Sequence, residues 1–155
     1  MAIANVDSGS IAAELGLGTL LRIPYQAMMA EGVEPALERA GFGDIRSAHL
    51  PVIQALSTSP TGLRSTELAT YARITKQSMG YLVDHLSAGG YVERVPDPSD
   101  QRAKAVCLTP RGLELSRAIR AAVRDIEEEW AVRVRATQMQ QLRAVLQELV
   151  AGLGR

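Results

Sequence analysis

The sequence predicts a mainly α-helical fold carrying one small β-hairpin. Apolar residues recur every three to four positions through both ends of the chain, the spacing that gathers them on one helix face. Between those ends, "STELATYARITKQSMGYLVDHLSAGG" reads as a short helix, a tight connection and a second helix closed by glycines. Only "YVERVPDPSDQRAKAVCL" has the signature of paired strands around a turn-rich centre.

With 155 residues and 46% hydrophobic content, the chain suffices for one domain, or one domain with a helical extension, and can bury a core. No apolar run approaches the roughly 18 to 20 residues that span a bilayer, and the N-terminus lacks a basic stretch leading into an apolar one. A soluble, cytoplasmic protein with no membrane association is expected. Cys107 is the single cysteine and His49 and His85 are the only histidines, so neither an intramolecular disulfide nor a zinc-type ligand cluster is expected. No cofactor or metal is anticipated. Basic and acidic residues balance at 17 each, so any nucleic-acid role must come from local clustering. Between Arg64 and Arg111, Arg64, Arg73, Lys76, Arg94, Arg102, Lys104 and Arg111 face only Glu67, Asp84, Glu93, Asp97 and Asp100.

From Ser10 to about Ala40, Ile11, Leu15, Ile23, Ala27 and Leu37 follow a helical period, with a kink or break expected near Pro24. Gly41 and Gly43 end that unit. Asp44 is the candidate N-cap of a helix through Leu56, with Ala48, Val52, Ile53 and Leu56 on one face. "STSPTG" is a turn. Ser65 can cap a short helix to about Tyr71, with Glu67 in its first turn and Leu68 and Ala69 turned inward. Arg73 and Ile74 connect it to "TKQSMGYLVDHLS", which "AGG" stops because glycine accepts the left-handed conformation after a helix end. This is a helix-turn-helix layout.

"YVERV" and "AKAVCL" then form the hairpin, joined by "PDPSDQ", with Val106 and Leu108 on one face and Ala105 and Cys107 on the other. Thr109 caps the next helix and Pro110 occupies its first position, where a missing N–H costs nothing. Leu115, Ile119, Val123, Ile126, Trp130 and Val134 carry that helix far. Thr137 and Gln140 suggest a capping box before a last helix striped by Leu142, Val145, Leu146, Leu149 and Leu153. Two apolar helices at the end of the chain require a partner surface.

The second helix of the central pair sorts its side chains into two arcs. Met79, Leu82, Val83 and Leu86 share one; Lys76, Gln77, Gly80, Tyr81 and Asp84 share the other. Its first turns carry Thr75, Lys76, Gln77, Ser78 and Tyr81: amide and cation for base edges, hydroxyls for phosphates. Gly80 on that face would permit a close backbone approach. A solvated helix face is the competing reading, and the hairpin shifts the balance between them.

Asp100, Arg102, Val106, Leu108, Thr109 and Gly112, in "DQRAKAVCLTPRG", resemble the wing pattern of the multiple-antibiotic-resistance regulator (MarR) family of bacterial winged helix-turn-helix repressors. The resemblance runs without a gap from about Asp44 to Gly112. It implies a winged helix-turn-helix DNA-binding domain over 44–112, flanked by dimerisation helices in 1–43 and 113–155. It implies a homodimeric, sequence-specific transcriptional regulator, a repressor, on a pseudo-palindromic double-stranded operator. The helix from Thr75 would enter the major groove and Arg102 the adjacent minor groove, where narrowness concentrates negative potential. Asp100 would pair with an arginine to shape the wing, and Arg94 and Lys104 would contact phosphates. Ser65, at the start of the first helix, completes the DNA-facing set. Pro24, Tyr25, Met28, Met29 and His49 would line a pocket between the helical region and the DNA-binding lobe, for a small aromatic or phenolic effector.

Cys107 reads first as a strand-packing residue rather than a thiol sensor, since it lies in a wing strand and residues 1–43 contain no cysteine. His85 is expected to face solvent or phosphate, and Trp130 to anchor the long helix in the core. The alternative function is a winged-helix module whose wing and presented helix face bind a protein. An enzyme lacks support: the sequence offers no nucleophile–base pair, glycine-rich phosphate loop or metal motif.

Overall fold

A computed structural model describes residues 13–97 and 99–153. The expected helix start at Ser10 and Ile11 lies outside them. Helix α1 (Leu17–Ala27) runs through Pro24 without breaking, and the irregularity comes afterwards, as a π-helical segment over Met28–Val33 that leads into α2 (Glu34–Arg39). At the end of that segment Glu34 N–H donates to the Met29 carbonyl five residues back, the bond that marks the wider spiral. In that widened turn Gly32 lies against Ile126, where a Cβ would meet the Ile126 Cδ1 at 2.1 Å. The long C-terminal helix thus packs directly on the π segment.

Asp44 does not cap a helix. The chain turns through buried Phe42 and Ile45, makes one 3-10 turn at Ser47–His49, and only then enters α3 (Leu50–Ser57), with Pro51 in its first turn. The Asp44 carboxylate instead accepts a hydrogen bond from the Tyr91 hydroxyl at 2.7 Å, which removes it from the capping role. Val52, Ile53 and Leu56 are buried as expected, whereas Ala48, lying before the α-helical stretch, is exposed.

A strand that the sequence hides, β1 (Leu63–Arg64), precedes α4 (Ser65–Ala72). Arg73, at φ 53°, makes the tight connection to α5 (Lys76–Ala88). After α5, Gly90 N–H and Tyr91 N–H close back on the Ser87 and Leu86 carbonyls at 3.0 and 2.9 Å. Strands β2 (Val92–Asp97) and β3 (Asp100–Leu108) follow, and the antiparallel sheet has the order β1-β3-β2. The wing strands are longer than expected. Pro96 pairs with Lys104 and Asp97 with Asp100, so residues 101–103 form a bulge beside the tip.

Helix α6 (Pro110–Val134) starts as its sequence predicts, with the Thr109 Oγ1 accepting from Gly112 N–H at 3.1 Å. It ends at Arg135, whose φ of 71° breaks the helix before α7 (Ala136–Leu153). Thr137 therefore lies inside α7 rather than at its cap.

The core fills the space under the helix-turn-helix: Leu37, Ile53, Leu68, Met79, Val83, Leu86, Tyr91 and Leu115 are all fully buried. Each such side chain contributes about 1.5–3 kcal/mol relative to exposure. The same logic fails at the ends of the chain. Leu17, Leu20, Leu21 and Ile23 on α1 and Leu142, Val145, Leu149 and Leu153 on α7 stand in solvent, and Trp130 is only half-buried, so it does not anchor the core of a single chain.

Candidate nucleic-acid interface

Helix α5 presents the face its sequence predicts. Met79, Val83 and Leu86 are buried and Leu82 is half-buried, while Lys76, Gln77, Ser78, Tyr81 and Asp84 are exposed, Tyr81 by 67%. A Cβ built on Gly80 meets nothing within 4 Å, so this face is open at the backbone. Thr75 is the N-cap. Its Oγ1 accepts from Ser78 N–H at 3.1 Å and donates to Ser78 Oγ at 2.9 Å, which shapes the helix start and leaves Ser78 its own hydroxyl proton to donate. Gln77 Nε2 lies 3.4 Å from the Tyr81 hydroxyl and keeps its remaining amide valences toward solvent.

Ser65 is the first residue of α4, half-buried, and not its cap: Arg64 takes that position and its N–H donates to Glu67 Oε2 at 2.7 Å. The Arg64 side chain reaches the wing. Its Nε donates to Asp97 Oδ2 at 2.6 Å, while Asp97 Oδ1 accepts from the Ser99 N–H and hydroxyl at 2.7 and 2.6 Å. The Arg64 hydrogen bond first, and the two from Ser99 next, hold the Asp97 carboxyl well below the usual carboxylate range. The stabilisation it brings is present above pH ~4 and is lost as acid protonates the folded-state carboxylate.

Asp97 thus shares with Asp100 the arginine pairing the sequence assigned to Asp100 alone, and it is the closer partner. Asp100 lies 3.9 Å from the Arg64 guanidinium, and its nearer contact is the Arg102 N–H, which donates to Asp100 Oδ1 at 3.0 Å. That bond folds the bulge under Arg102, whose side chain is exposed. Lys104 is exposed on β3 as well. Arg94 is turned the other way. It donates to Asp84 Oδ1 at 2.6 Å, bracing the wing against α5 rather than standing free for phosphate. Among the described residues, Arg73, Lys76, Arg102 and Lys104 have no ion pair on this side of the molecule.

Cys107 is half-buried opposite Glu93 in the wing. Burial first, and Glu93 second, push its thiol pKa up, away from a reactive thiolate.

Tyr25, Met28 and Met29 line a cavity of about 580 Å³ between α1, α3 and α6, together with Ile53, Ile119 and Arg120. Its polar end is a chain in which Ser57 Oγ and Ser116 Oγ lie 2.7 Å apart and Arg120 donates to Ser116 Oγ at 2.6 Å. A second cavity of about 540 Å³ runs from Tyr25 to Ser78 and Tyr81 on α5. His49 belongs to neither. It is 7% exposed, its ring stacked on that of His85 at 4.5 Å between centroids. His85 is exposed as expected, and its Nε2 also lies 3.1 Å from the Asp44 carbonyl. Arg64, Asp97 and the histidine stack are the parts of the site that sequence reading missed; each joins residues at least 33 positions apart.

The family model described as MarR family matches residues 44–103. The chain is 34% identical over 97 residues to the HTH-type transcriptional repressor Rv2887 of Mycobacterium tuberculosis, covering 63% of this chain and 69% of that one. Among solved structures, Rv2887 in complex with DNA superposes with a TM-score of 0.67 at 30% identity, over 88% of this chain and 98% of that one. Rv2887 in complex with salicylic acid does so with a TM-score of 0.66 at 31% identity, over 89% and 98%.

Proposed function

Since the chain belongs to the MarR family, we propose that it is a sequence-specific DNA-binding transcriptional regulator, a homodimeric repressor of a pseudo-palindromic operator. The observation that carries this reading is the placement on one side of the molecule of the open α5 face and a wing holding Arg102 outward, with Lys76 and Lys104 uncommitted. Helix α5 supplies major-groove contacts through Lys76, Gln77, Ser78 and Tyr81, helped by the unpaired amides of its first turn. Arg102 enters the minor groove, and Ser65, Thr75 and Gly80 set close backbone approach. Lys104 and Arg73 contact phosphates; Arg94 holds the wing in place. The relative solved with DNA has the same fold over nearly its whole length.

The exposed apolar stripes of α1 and α7 supply the dimer contact. Two-fold symmetry then places the α5 helices in successive major grooves, about 34–36 Å apart. The cavity lined by Tyr25, Met28 and Met29 suits a small aromatic or phenolic effector, and the same relative is solved with salicylic acid. A ligand that favours one spacing of the two α5 helices shifts the population between DNA-competent and incompetent dimers.

A salt titration tests the function. With Arg73, Lys76, Arg102 and Lys104 in each subunit displacing counterions at the DNA surface, eight cations in the dimer, the slope of log K against log salt on a duplex selected from a random pool is expected at about −7. Gln77→Ala is expected to cost about 1–3 kcal/mol on that duplex and almost nothing on random duplex. Salt-insensitive binding, or equal loss on both duplexes, contradicts groove reading by α5. A protein-binding module would show no affinity for either.

A further inference from the structure

His85 sits on α5, two and a half turns beyond Lys76, and His49 closes the 3-10 turn that leads into α3. Their rings are parallel to within 12° at 4.5 Å. The stack therefore joins the helix that reads DNA to the segment that descends from α2. It is wired at both ends. His49 Nδ1 accepts from Arg46 N–H at 2.9 Å, which fixes the ring proton on Nε2, and His85 Nε2 donates to the Asp44 carbonyl at 3.1 Å with the Asp44 carboxylate 3.6 Å away.

We propose that His49 and His85 are positioning residues for DNA binding, their stack setting the pitch of α5 on the domain, and that a proton on His49 releases it. This rests on the DNA-binding reading above. Geometry leaves His49 no free site for a further proton: Nε2 already carries one, and the Arg46 N–H points at Nδ1. Protonation there would set two donors face to face and place a charge against the His85 ring in a partly buried site.

The groups around the pair are Asp44 and Arg46 on the preceding loop, Glu34 of α2 held to Ser47 N–H at 3.0 Å, Tyr91 after α5, and Arg111 at the start of α6. Asp44 is the anionic neighbour of the rings, and it is shared with the Tyr91 hydroxyl and His85. Burial first, then His85, lowers the His49 pKa below its ordinary value, and Asp44 and the Arg46 backbone contact only partly oppose this. The unfolded chain then binds the proton more readily than the folded one. Stability from the neutral ring is complete above pH ~6.5 and is lost as pH falls through the lowered folded value.

The consequence has a distinctive sign. A histidine near phosphates ordinarily strengthens DNA binding when protonated; release of α5 weakens it. The full-length protein is titrated against the duplex it selects from a random pool, at constant ionic strength, from pH 7.5 to 5.5. Wild-type affinity is expected to fall as pH drops toward the lowered His49 value, with a slope of up to about tenfold per pH unit for each subunit that takes up a proton. His49→Asn offers Oδ1 to the Arg46 N–H but has no ring to stack and no proton to gain, so its affinity should already be below wild type at pH 7.5 and should stay flat in acid. A variant profile that falls with the wild type, or wild-type affinity that rises in acid, overturns the proposal.

Imidazole proton NMR of the free protein supplies a second judgement that needs neither DNA nor the variant. His49 should titrate below its ordinary value, together with the Arg46 amide and the α5 amides; titration of His49 at its ordinary value without those amides contradicts the proposal. Absence of DNA binding at every pH would instead remove the function proposed above, leaving the NMR result to stand or fall separately.

Discussion

Leu142→Asp combined with Leu149→Asp is expected to give a folded monomer whose affinity for its operator is at least about a hundredfold below wild type. Both leucines stand on the apolar stripe of α7, 49% and 46% exposed in the single chain, with Val145 and Leu153 on the same stripe. Leu17, Leu20, Leu21 and Ile23 give α1 a stripe of the same kind. Their burial against a second copy is worth about 1.5–3 kcal/mol per side chain, and a carboxylate placed in that interface costs several more without a partner.

The helix-turn-helix should not notice, because neither leucine belongs to its core. Far-UV circular dichroism should therefore show helix content close to wild type while sedimentation velocity shows a monomer. The DNA loss comes from geometry: two tethered α5 helices bind with an effective concentration that a lone one lacks. A variant that still sediments as a dimer would place the interface elsewhere.

Gly112→Ala is expected to lower stability by about 2 kcal/mol, a fall in Tm of roughly 4–8 °C for a chain of this size. A Cβ at Gly112 would lie 2.0 Å from the Tyr91 carbonyl oxygen and 3.1 Å from Leu108 Cδ2. Neither neighbour yields easily, since the Tyr91 carbonyl also accepts the Thr109 N–H at 3.0 Å. The gain of about 1 kcal/mol that alanine brings to a helix interior is outweighed. Gly80→Ala isolates that gain, because a Cβ there meets nothing, and should be neutral or slightly stabilising. Equal thermal shifts in the two variants would show that the α6 start does not press on Tyr91.

That contact also explains the sequence pattern around it. Thr109 caps α6 through Gly112 N–H and donates to the Gly90 carbonyl at 2.6 Å, while Arg111 lies 4.9 Å from the centre of the Tyr91 ring. Thr109, Gly112 and Tyr91 thus weld the wing strands, the end of α5 and the start of α6 at one joint. A change in the dimer helices has a direct route to the wing through it.

The parts of the fold legible in the sequence are those decided within one or two turns of chain. The two arcs of α5, its glycine stop and the Thr109–Pro110 start need only helical geometry and local hydrogen bonds. The two-residue strand Leu63–Arg64 has no period to read; its partners, Val106 and Ala105, are supplied by the sheet. The widened turn after Pro24 depends on Gly32 meeting Ile126. Site residues divide in the same way. Gln77, Tyr81 and Arg102 are exposed where pattern placed them, but Asp97 joins Asp100 as the closer partner of Arg64, which arrives from a distant strand, Arg94 is claimed by Asp84, and His49 leaves the cavity for His85.

Hydroxyl-radical footprinting of the wild-type protein on a duplex it selects from a random pool tests the central claim most directly. Two symmetric protected half-sites are predicted, centred about 34–36 Å apart, with minor-groove protection outside them that disappears in Arg102→Ala. A single asymmetric footprint, or no protection of any duplex at low salt, would contradict DNA reading by an α5-and-wing dimer.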